Sequence, residues 1–304
     1  MSTASASLPS AVPTPSAGSS PAAEPHRPGG RGPLHWTRLL RLAAILVGVV
    51  VVLIPVYVLV ITSFKGQGDA SAARAWALPQ TWTTENWSQA WQALAPSIWR
   101  SVQMVVPSTI ISAVLGCMNG FVLSRWRFPG ADIVFTLILF GMFLPYQAVM
   151  IPLMQMLLDV GVPNGIPSLI LLHVVFGIPI TTLIFRNYFE SVPHEMIESA
   201  TMDGAGMLRT FWHIALPLAI PGFVVVLIWQ FTNAWNDFLF AVFFSSPANG
   251  PVTLALNNLA NGALLVNYGV SMAGALLASL PTLVVYIVLS KYFLAGLMQG
   301  SVKG

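Results

Sequence analysis

A short polar stripe interrupts an otherwise apolar stretch near residue 230. Gln230, Asn233 and Asp237 are spaced three and four residues apart, and Asn236 lies beside them. Residues at these intervals share one face of a helix. Their amide and carboxylate groups can hydrogen-bond a hydroxylated solute, and neighbouring tryptophans could stack on its ring. The stripe therefore predicts either the lining of a path for a polar solute or a helix-packing and capping cluster.

The sequence contains no arrangement typical of a catalytic or metal centre. Cys117 is the single cysteine, so neither an internal disulfide nor a cysteine metal cluster can form, and no histidines pair at metal-ligand spacing. The only lysines are Lys65, Lys291 and Lys303, and none follows a glycine, which excludes a P-loop. We therefore expect no enzyme activity, no metal and no cofactor, with energy supplied from elsewhere.

The composition predicts a chain that lies mostly inside a membrane. Hydrophobic residues make up 56% of the 304 residues and charged residues only 8%, whereas soluble domains carry roughly 25% charged residues. The net charge of +3 is scattered along the chain and forms no basic patch that would bind nucleic acid. Membrane lipid is the expected surrounding.

Charge-poor apolar stretches recur along the chain at lengths suited to membrane crossing. The first, residues 42–64, has no charged residue over 23 positions, enough to cross a hydrocarbon core of about 30 Å. The predicted spans are 42–64, 101–123, 133–157, 166–184, 214–244 and 272–297. Prolines inside them predict kinks that neighbouring helices can accommodate. The expected fold is an all-α bundle of six transmembrane helices.

The distribution of basic residues predicts the orientation of this bundle. Residues 1–35 are rich in Ser, Ala, Pro and Gly and are predicted to form a disordered cytoplasmic tail ahead of a membrane domain spanning 36–304. With the tail inside, ten Lys and Arg residues are cytoplasmic and only Lys65, Arg74 and Arg100 are external. The positive-inside rule therefore places both termini in the cytoplasm of a multi-pass protein in the cell's inner membrane.

The densest charge in the chain lies between the fourth and fifth predicted spans, in residues 186–213. Glu195 and Glu198 occupy positions that suit the first turns of a helix, and Gly204 follows Asp203 as a helix stop. The segment therefore predicts a short surface helix with small and apolar contacts suited to docking on a partner.

This segment resembles the cytoplasmic signature of ABC importer permeases. In that signature a Glu-Ala-Ala triplet is followed after three residues by Gly, and after nine more by Ile-x-Leu-Pro. The corresponding residues here are Glu198, Ser199, Ala200, Gly204, Ile214, Leu216 and Pro217. Every spacing is kept, and the one departure is Ser199 in place of the first alanine. We call residues 186–213 the coupling loop.

The resemblance covers most of the chain after the tail and is closest to the carbohydrate-importing, maltose-type branch, with the type I importer fold. The segments WNDFLFAVFF and KYFLAGLMQGSVKG carry it, and PVTLALNNLANG is similar to permeases for glucose or mannose. The resemblance implies a second permease subunit, two copies of a cytoplasmic ATPase that binds the ATP, and an external sugar-binding protein.

The resemblance also implies roles for two groups of residues. The coupling loop, including Asp203 beside Gly204, would transmit ATPase closure to the transmembrane helices. The C-terminal residues Gln299, Gly300, Lys303 and Gly304 would reach between the ATPase subunits.

Two other functions remain open from the sequence. An ion-coupled secondary carrier usually has ionisable residues inside its spans, and Asp237 is the exception in spans that are otherwise nearly free of them. An ABC permease for a non-sugar solute, such as a polyamine, would be expected to have a more acidic path. A neutral sugar therefore fits better.

Overall fold

The computed structural model describes the backbone of residues 34–126, 128–261 and 267–300. Within these ranges the chain is helical, without strands, and its β-type contact is one isolated bridge between Lys65 and Trp82. The all-α prediction is confirmed. The chain divides into two compact units, residues 1–52 and residues 53–304, and the contacts discussed below lie within the second.

The order of helices along the chain follows the predicted apolar stretches. The longer helices are α1 (Leu34–Ser63), α2 (Glu85–Arg125), α5 (Ile166–Ser191), α9 (Ile220–Asn236) and α12 (Tyr268–Gly300). The shorter ones are α3 (Ala131–Phe140), α4 (Tyr146–Asp159), α6 (Glu195–Met202), α7 (Met207–Thr210), α8 (Leu216–Leu218), α10 (Leu239–Phe244) and α11 (Val252–Asn261). Helix α1 begins at Leu34, so the predicted tail 1–35 overlaps it by two residues, and residues 1–33 lie outside the described residues.

Four described helices are long and apolar enough to cross a membrane, and a bent pair would make a fifth span. The four are Trp36–Ser63, Glu85–Arg125, Ile166–Ser191 and Tyr268–Lys291. Helix α2 starts well before the predicted residue 101, and its 41 residues extend over about 60 Å at 1.5 Å per residue. Part of the predicted loop between the first two spans is therefore helical.

The predicted third span, 133–157, is not one helix. Helix α3 ends at Phe140, and α4 begins only at Tyr146, after Pro145. Proline supplies no backbone N–H and disfavours helical geometry in the residue before it. The expected single helix is therefore replaced by two helices of 10 and 14 residues, with the break facing the cavity described below.

The predicted fifth span, 214–244, is also interrupted. The segment Met207–Leu218, which includes a π-helical turn at Phe211–Ala215, lies at 74° to α9. Pro217 and Pro221 flank the bend, and Pro221 cannot donate to the carbonyl four residues before it. The hydroxyl of Tyr188 on α5 donates a 2.7 Å hydrogen bond to the Leu218 carbonyl and stabilises the bend.

Helices α2 and α5 form the closest helix pair of the bundle. A Cβ atom on Gly116 would lie 2.5 Å from Cβ of Thr181, and one on Gly120 would lie 2.7 Å from the backbone nitrogen of Arg186. Two glycines four residues apart allow this approach, as in other membrane helix pairs. The Thr181 hydroxyl also donates to the Ser112 carbonyl at 3.1 Å. The coupling loop begins at the end of this helix pair.

Candidate functional site: the coupling loop and a polar cavity

Helix α6 of the coupling loop presents one face to the protein and one to the outside. Ala200 is buried, and Ile197 packs against the aromatic core formed around Phe189 and Phe211. Met202 is 87% exposed. The docking face predicted for this helix is therefore made by its other side chains, since Ala200 points inward.

The motif residues Glu198 and Ser199 are exposed on this helix, and Asp203 is exposed directly after its end. The hydroxyl of Ser199 donates to the Met196 carbonyl one turn back. A serine in place of the usual alanine therefore satisfies its own hydroxyl within the helix and leaves the exposed face available to a partner.

Gly204 ends helix α6 in the left-handed conformation, with φ +77°. The backbone N–H of Ala205 donates to the Ala200 carbonyl at 3.0 Å. This pairing across five residues, with a left-handed glycine inside it, is the Schellman ending of a helix. A Cβ on Gly204 would have open space around it, so the glycine is required by its backbone angle and not by crowding.

Arg125, the last residue of α2, holds the beginning of the coupling loop. Its guanidinium donates to the carbonyls of Phe189 and Val192, at the end of α5, and contacts Nδ1 of His194 at 2.8 Å. Because α5 ends there, its last carbonyls need donors from outside the helix ladder, although the Phe189 carbonyl also accepts from the Val192 N–H at 3.1 Å. Sequence reasoning did not single out Arg125, because its partners are backbone groups distant in the chain.

Replacing Arg125 with methionine is expected to loosen the start of the coupling loop. The Val192 carbonyl would lose its guanidinium donor, at a cost below the roughly 1–3 kcal/mol of a fully buried unsatisfied acceptor, because this site is only half-buried. We expect cleavage after Glu195 or Glu198 by a glutamate-specific protease to be at least several-fold faster in purified Arg125→Met than in the wild type. Arg209→Met, at an exposed position, is the control, and equal cleavage in all three proteins would show that Arg125 does not restrain the loop.

The end of the signature lies at the bend before α9. Ile214 belongs to the π-helical turn, and Leu216 and Pro217 form the start of α8. Their neighbours Ala215 and Ala219 are buried. The signature thus connects the surface helix to the bent entry into α9. At the C-terminus, Gln299 and Gly300 are the last residues of α12, and Lys303 and Gly304 lie outside the described residues.

The polar stripe of α9 divides into residues with different surroundings. Gln230 is buried and donates a 2.8 Å hydrogen bond to the His173 carbonyl of α5. The Ser112 hydroxyl of α2 donates to that carbonyl at 3.3 Å. Gly177 leaves room for both side chains, because a Cβ there would lie 2.5 Å from the serine hydroxyl. The His173 carbonyl of α5 is therefore the point at which side chains of α2 and α9 meet.

The remaining stripe residues lie near the end of α9. Asn233 and Asn236 are exposed and donate to the carbonyls of Trp229 and Thr232 within their own helix, each at 2.9 Å. Asp237 follows the last residue of α9, and its carboxylate lies beside the backbone amides of Leu239, Phe240 and Ala241.

Three of the four stripe residues line one open cavity of about 260 Å³ among α4, α5 and α9. Its polar lining consists of Tyr146, His173, Trp229, Gln230, Asn233 and Asp237. Asn236 is not among the lining residues. The structure therefore brings Gln230, Asn233 and Asp237 together and separates Asn236 from them. We call this space the α5–α9 cavity.

His173 and Tyr146 line the cavity although sequence reasoning did not connect them with the stripe. Both lie on other helices, so no spacing rule links them to α9. A signal existed for His173, because an ionisable residue inside an apolar span is rare and usually functional.

Comparison with known proteins agrees with this arrangement. Residues 108–297 match the family model for the binding-protein-dependent transport system inner membrane component, which covers more than half of the chain and all of the coupling loop. The chain belongs to this family. The resemblance of the coupling loop to ABC importer permeases is thereby confirmed, and the chain is a transport subunit and not an enzyme.

Individual relatives match this chain along most of their own length. The diacetylchitobiose uptake system permease of Streptomyces coelicolor is 32% identical over 84% of this chain and 85% of its own. The glucose import system permease of Saccharolobus solfataricus is 30% identical over 91% and 98%. A probable ABC transporter permease of Pyrococcus horikoshii is 46% identical, over 55% of this chain and 61% of its own.

Solved structures give the fold. A chain of a bacterial ABC transporter involved in the import of alginate superposes with a TM-score of 0.69 at 24% identity, covering 85% of this chain and 98% of that chain. A chain of a methionine ABC transporter gives 0.54 at 18% identity, covering 67% and 96%. The permease therefore has the type I importer fold and is a multi-pass membrane protein.

Proposed function

We propose that this permease forms part of the translocation path of a sugar importer. The observation that carries the proposal is the lining of the α5–α9 cavity. Amide, hydroxyl and imidazole groups of Asn233, Tyr146 and His173 face the same space as the indole of Trp229. Neutral hydrogen-bonding groups beside aromatic rings suit a sugar, which has hydroxyl edges and apolar ring faces.

The relatives support the same solute class. Their names specify diacetylchitobiose, xylose or arabinose, melibiose, raffinose or stachyose, and glucose. One relative, from Synechocystis, is named for osmoprotective compounds. A monosaccharide such as glucose or mannose is our choice within this class, because the segment PVTLALNNLANG is similar to permeases for those sugars.

The partners in this proposal are a second permease, two copies of a cytoplasmic ATPase and an external sugar-binding protein. The coupling loop would dock on the ATPase through the exposed side of α6, where Met196, Ser199 and Met202 are accessible. Both termini and this loop would then be cytoplasmic, in agreement with the positive-inside rule. The C-terminal residues would contact the ATPase pair. ATP would be bound by the ATPase and not by this chain.

Purification of the tagged permease from its native membrane tests the proposal. We expect a second permease and an ATPase to co-purify, and the reconstituted complex to accumulate one sugar from a panel of glucose, mannose, xylose, arabinose and melibiose only when ATP is supplied. Transport of an osmolyte but no sugar would assign a different solute. Transport by the chain alone, driven by an ion gradient, would contradict the proposal.

A further inference from the structure

The α5–α9 cavity contains two polar side-chain atoms that are buried and lack a hydrogen-bond partner. They are Nε2 of His173, on α5, and Oδ2 of Asp237, at the end of α9. The two side chains are only 7% and 15% exposed, respectively. Buried polar atoms in native proteins are nearly always hydrogen-bonded. Two unpartnered atoms on one cavity therefore indicate a ligand group that satisfies both.

The distance between the two atoms fits a single bridging oxygen. Nε2 of His173 and Oδ2 of Asp237 are 3.9 Å apart, which is too long for a direct hydrogen bond. An oxygen placed about 2.8 Å from each would complete two good hydrogen bonds. A hydroxyl group has the required chemistry, since it donates its proton to the carboxylate and accepts one from the imidazole N–H.

Both side chains have neighbouring groups that limit their movement. The His173 ring meets the Phe240 ring edge-on at 5.4 Å, and its carbonyl accepts from Gln230 and Ser112. The Asp237 carboxylate lies beside backbone amides at the start of α10. Groups fixed in this way lose little freedom when a ligand binds.

The charge around the gap favours a neutral ligand over an anion. Asp237 is the one carboxylate among the described residues that line the cavity, and none of these residues is a lysine or arginine. A negatively charged group would meet Asp237 without a compensating cation. A hydroxyl of an uncharged solute avoids this cost.

We propose that His173 and Asp237 together bind one hydroxyl group of the transported solute. The pair would thereby determine which arrangement of hydroxyl groups a solute must have to be transported. The inference rests on the proposed function and identifies the residue pair responsible for recognition within the cavity. His173 contributes the donor, Asp237 contributes the acceptor, and the aromatic rings of the cavity contact the rest of the solute.

The test uses His173→Phe, which keeps the ring packing on Phe240 but removes both nitrogens, and Asp237→Asn, which keeps the side-chain shape. The complete complex is reconstituted with saturating solute-loaded binding protein, and transport is measured for the preferred sugar of the panel and its monodeoxy analogues. Each variant is expected to lower transport of the parent sugar about tenfold, the effect of losing one hydrogen bond to a charged or buried partner.

Two further observations are expected to separate recognition from packing. The double variant should lose less transport than the product of the two single losses, because both residues bind the same hydroxyl. One deoxy analogue, the one that lacks this hydroxyl, should be transported equally by the wild type and the variants. Abundance should match the wild type in every variant. Asp159→Asn, a control at an exposed carboxylate outside the cavity, should also keep wild-type transport and ATP hydrolysis.

Each other outcome would overturn the inference. If the variants lost transport equally for the parent sugar and for every analogue, the group between His173 and Asp237 would be a structural water and not the solute. Unchanged transport in both variants would refute the inference while leaving the sugar importer in place. A wild-type complex that transports no sugar would refute the proposed function, and this inference with it.

Discussion

Replacing Gly204 with proline is expected to abolish solute uptake while the permease remains in the membrane at wild-type abundance. Gly204 has φ +77°, whereas proline holds φ at about −65°, so the Schellman ending of α6 cannot form. The transmembrane helices pack elsewhere and should be unaffected. The defect is therefore expected in the docking of the coupling loop, and it should appear as ATP hydrolysis that no longer responds to the loaded binding protein.

Graded variants at this position separate backbone strain from other effects. Gly204→Ala costs about 1–2 kcal/mol in the left-handed region and should reduce uptake partly, whereas Gly204→Asn should retain most of it because asparagine tolerates this region. Gly206→Ala is the matched control, because Gly206 has φ −69° and open space for a Cβ. Normal uptake by Gly204→Pro, or its disappearance from the membrane, would contradict the prediction.

Replacing Gly116 with valine is expected to remove most of the folded permease. A Cβ at this position already overlaps Thr181, with its Cβ at 2.5 Å and its backbone carbonyl carbon at 2.8 Å. Overpacking a tight interface typically costs about 1–3 kcal/mol, and more where backbone atoms must move. Because α2 and α5 hold the start of the coupling loop and α5 lines the cavity, we expect low abundance and little co-purifying ATPase.

The measurement is the amount of permease that remains monodisperse after extraction in mild detergent. The monodisperse yield of Gly116→Ala should lie between the yields of the wild type and Gly116→Val, because alanine adds only the first of the three side-chain carbons of valine. Gly68→Ala is the control, since a Cβ on Gly68 would meet no atom within 4 Å. Wild-type yield of Gly116→Val would show that the two helices can separate without loss of the fold.

The structure connects the coupling loop to the α5–α9 cavity through packed helices. Arg125 joins the end of α2 to the beginning of the loop. At the other end of the loop, the bend held by Tyr188 leads into α9. Helix α9 continues for 17 residues, about 25 Å at 1.5 Å per residue, and is followed by Asp237. A displacement of the loop is therefore expected to reach the cavity as a movement of α9.

The sequence alone determined the features that depend on composition and local spacing. The low charge and long apolar stretches predicted an all-α membrane protein, because a water-exposed surface cannot be built from so few charges. The signature from Glu198 to Pro217 predicted the importer family, because its fixed spacings place a short helix, a glycine turn and a bend in order along the chain. The left-handed angle at Gly204 agrees with the turn expected there.

Helix interruptions were harder to predict from sequence. The prolines near residues 145 and 217 were expected to kink spans that continue, yet α3 and α4 are separate helices and the segment before α9 bends by 74°. A proline removes one donor wherever it occurs. Whether the helix continues also depends on contacts from other helices, and at the bend the Tyr188 hydroxyl of α5 donates to the Leu218 carbonyl.

Only the tertiary structure decided which side chains share a site. Spacing on α9 placed Gln230, Asn233 and Asp237 on one face, but it could not show that Gln230 binds the backbone of α5 or that Asn236 lies away from the cavity. His173 is 64 residues from Asp237 in the sequence and reaches 3.9 Å from it through helix packing. Sequence periodicity predicts which residues share a face of one helix. Contacts between helices depend instead on the crossing geometry and on the small residues that permit close approach.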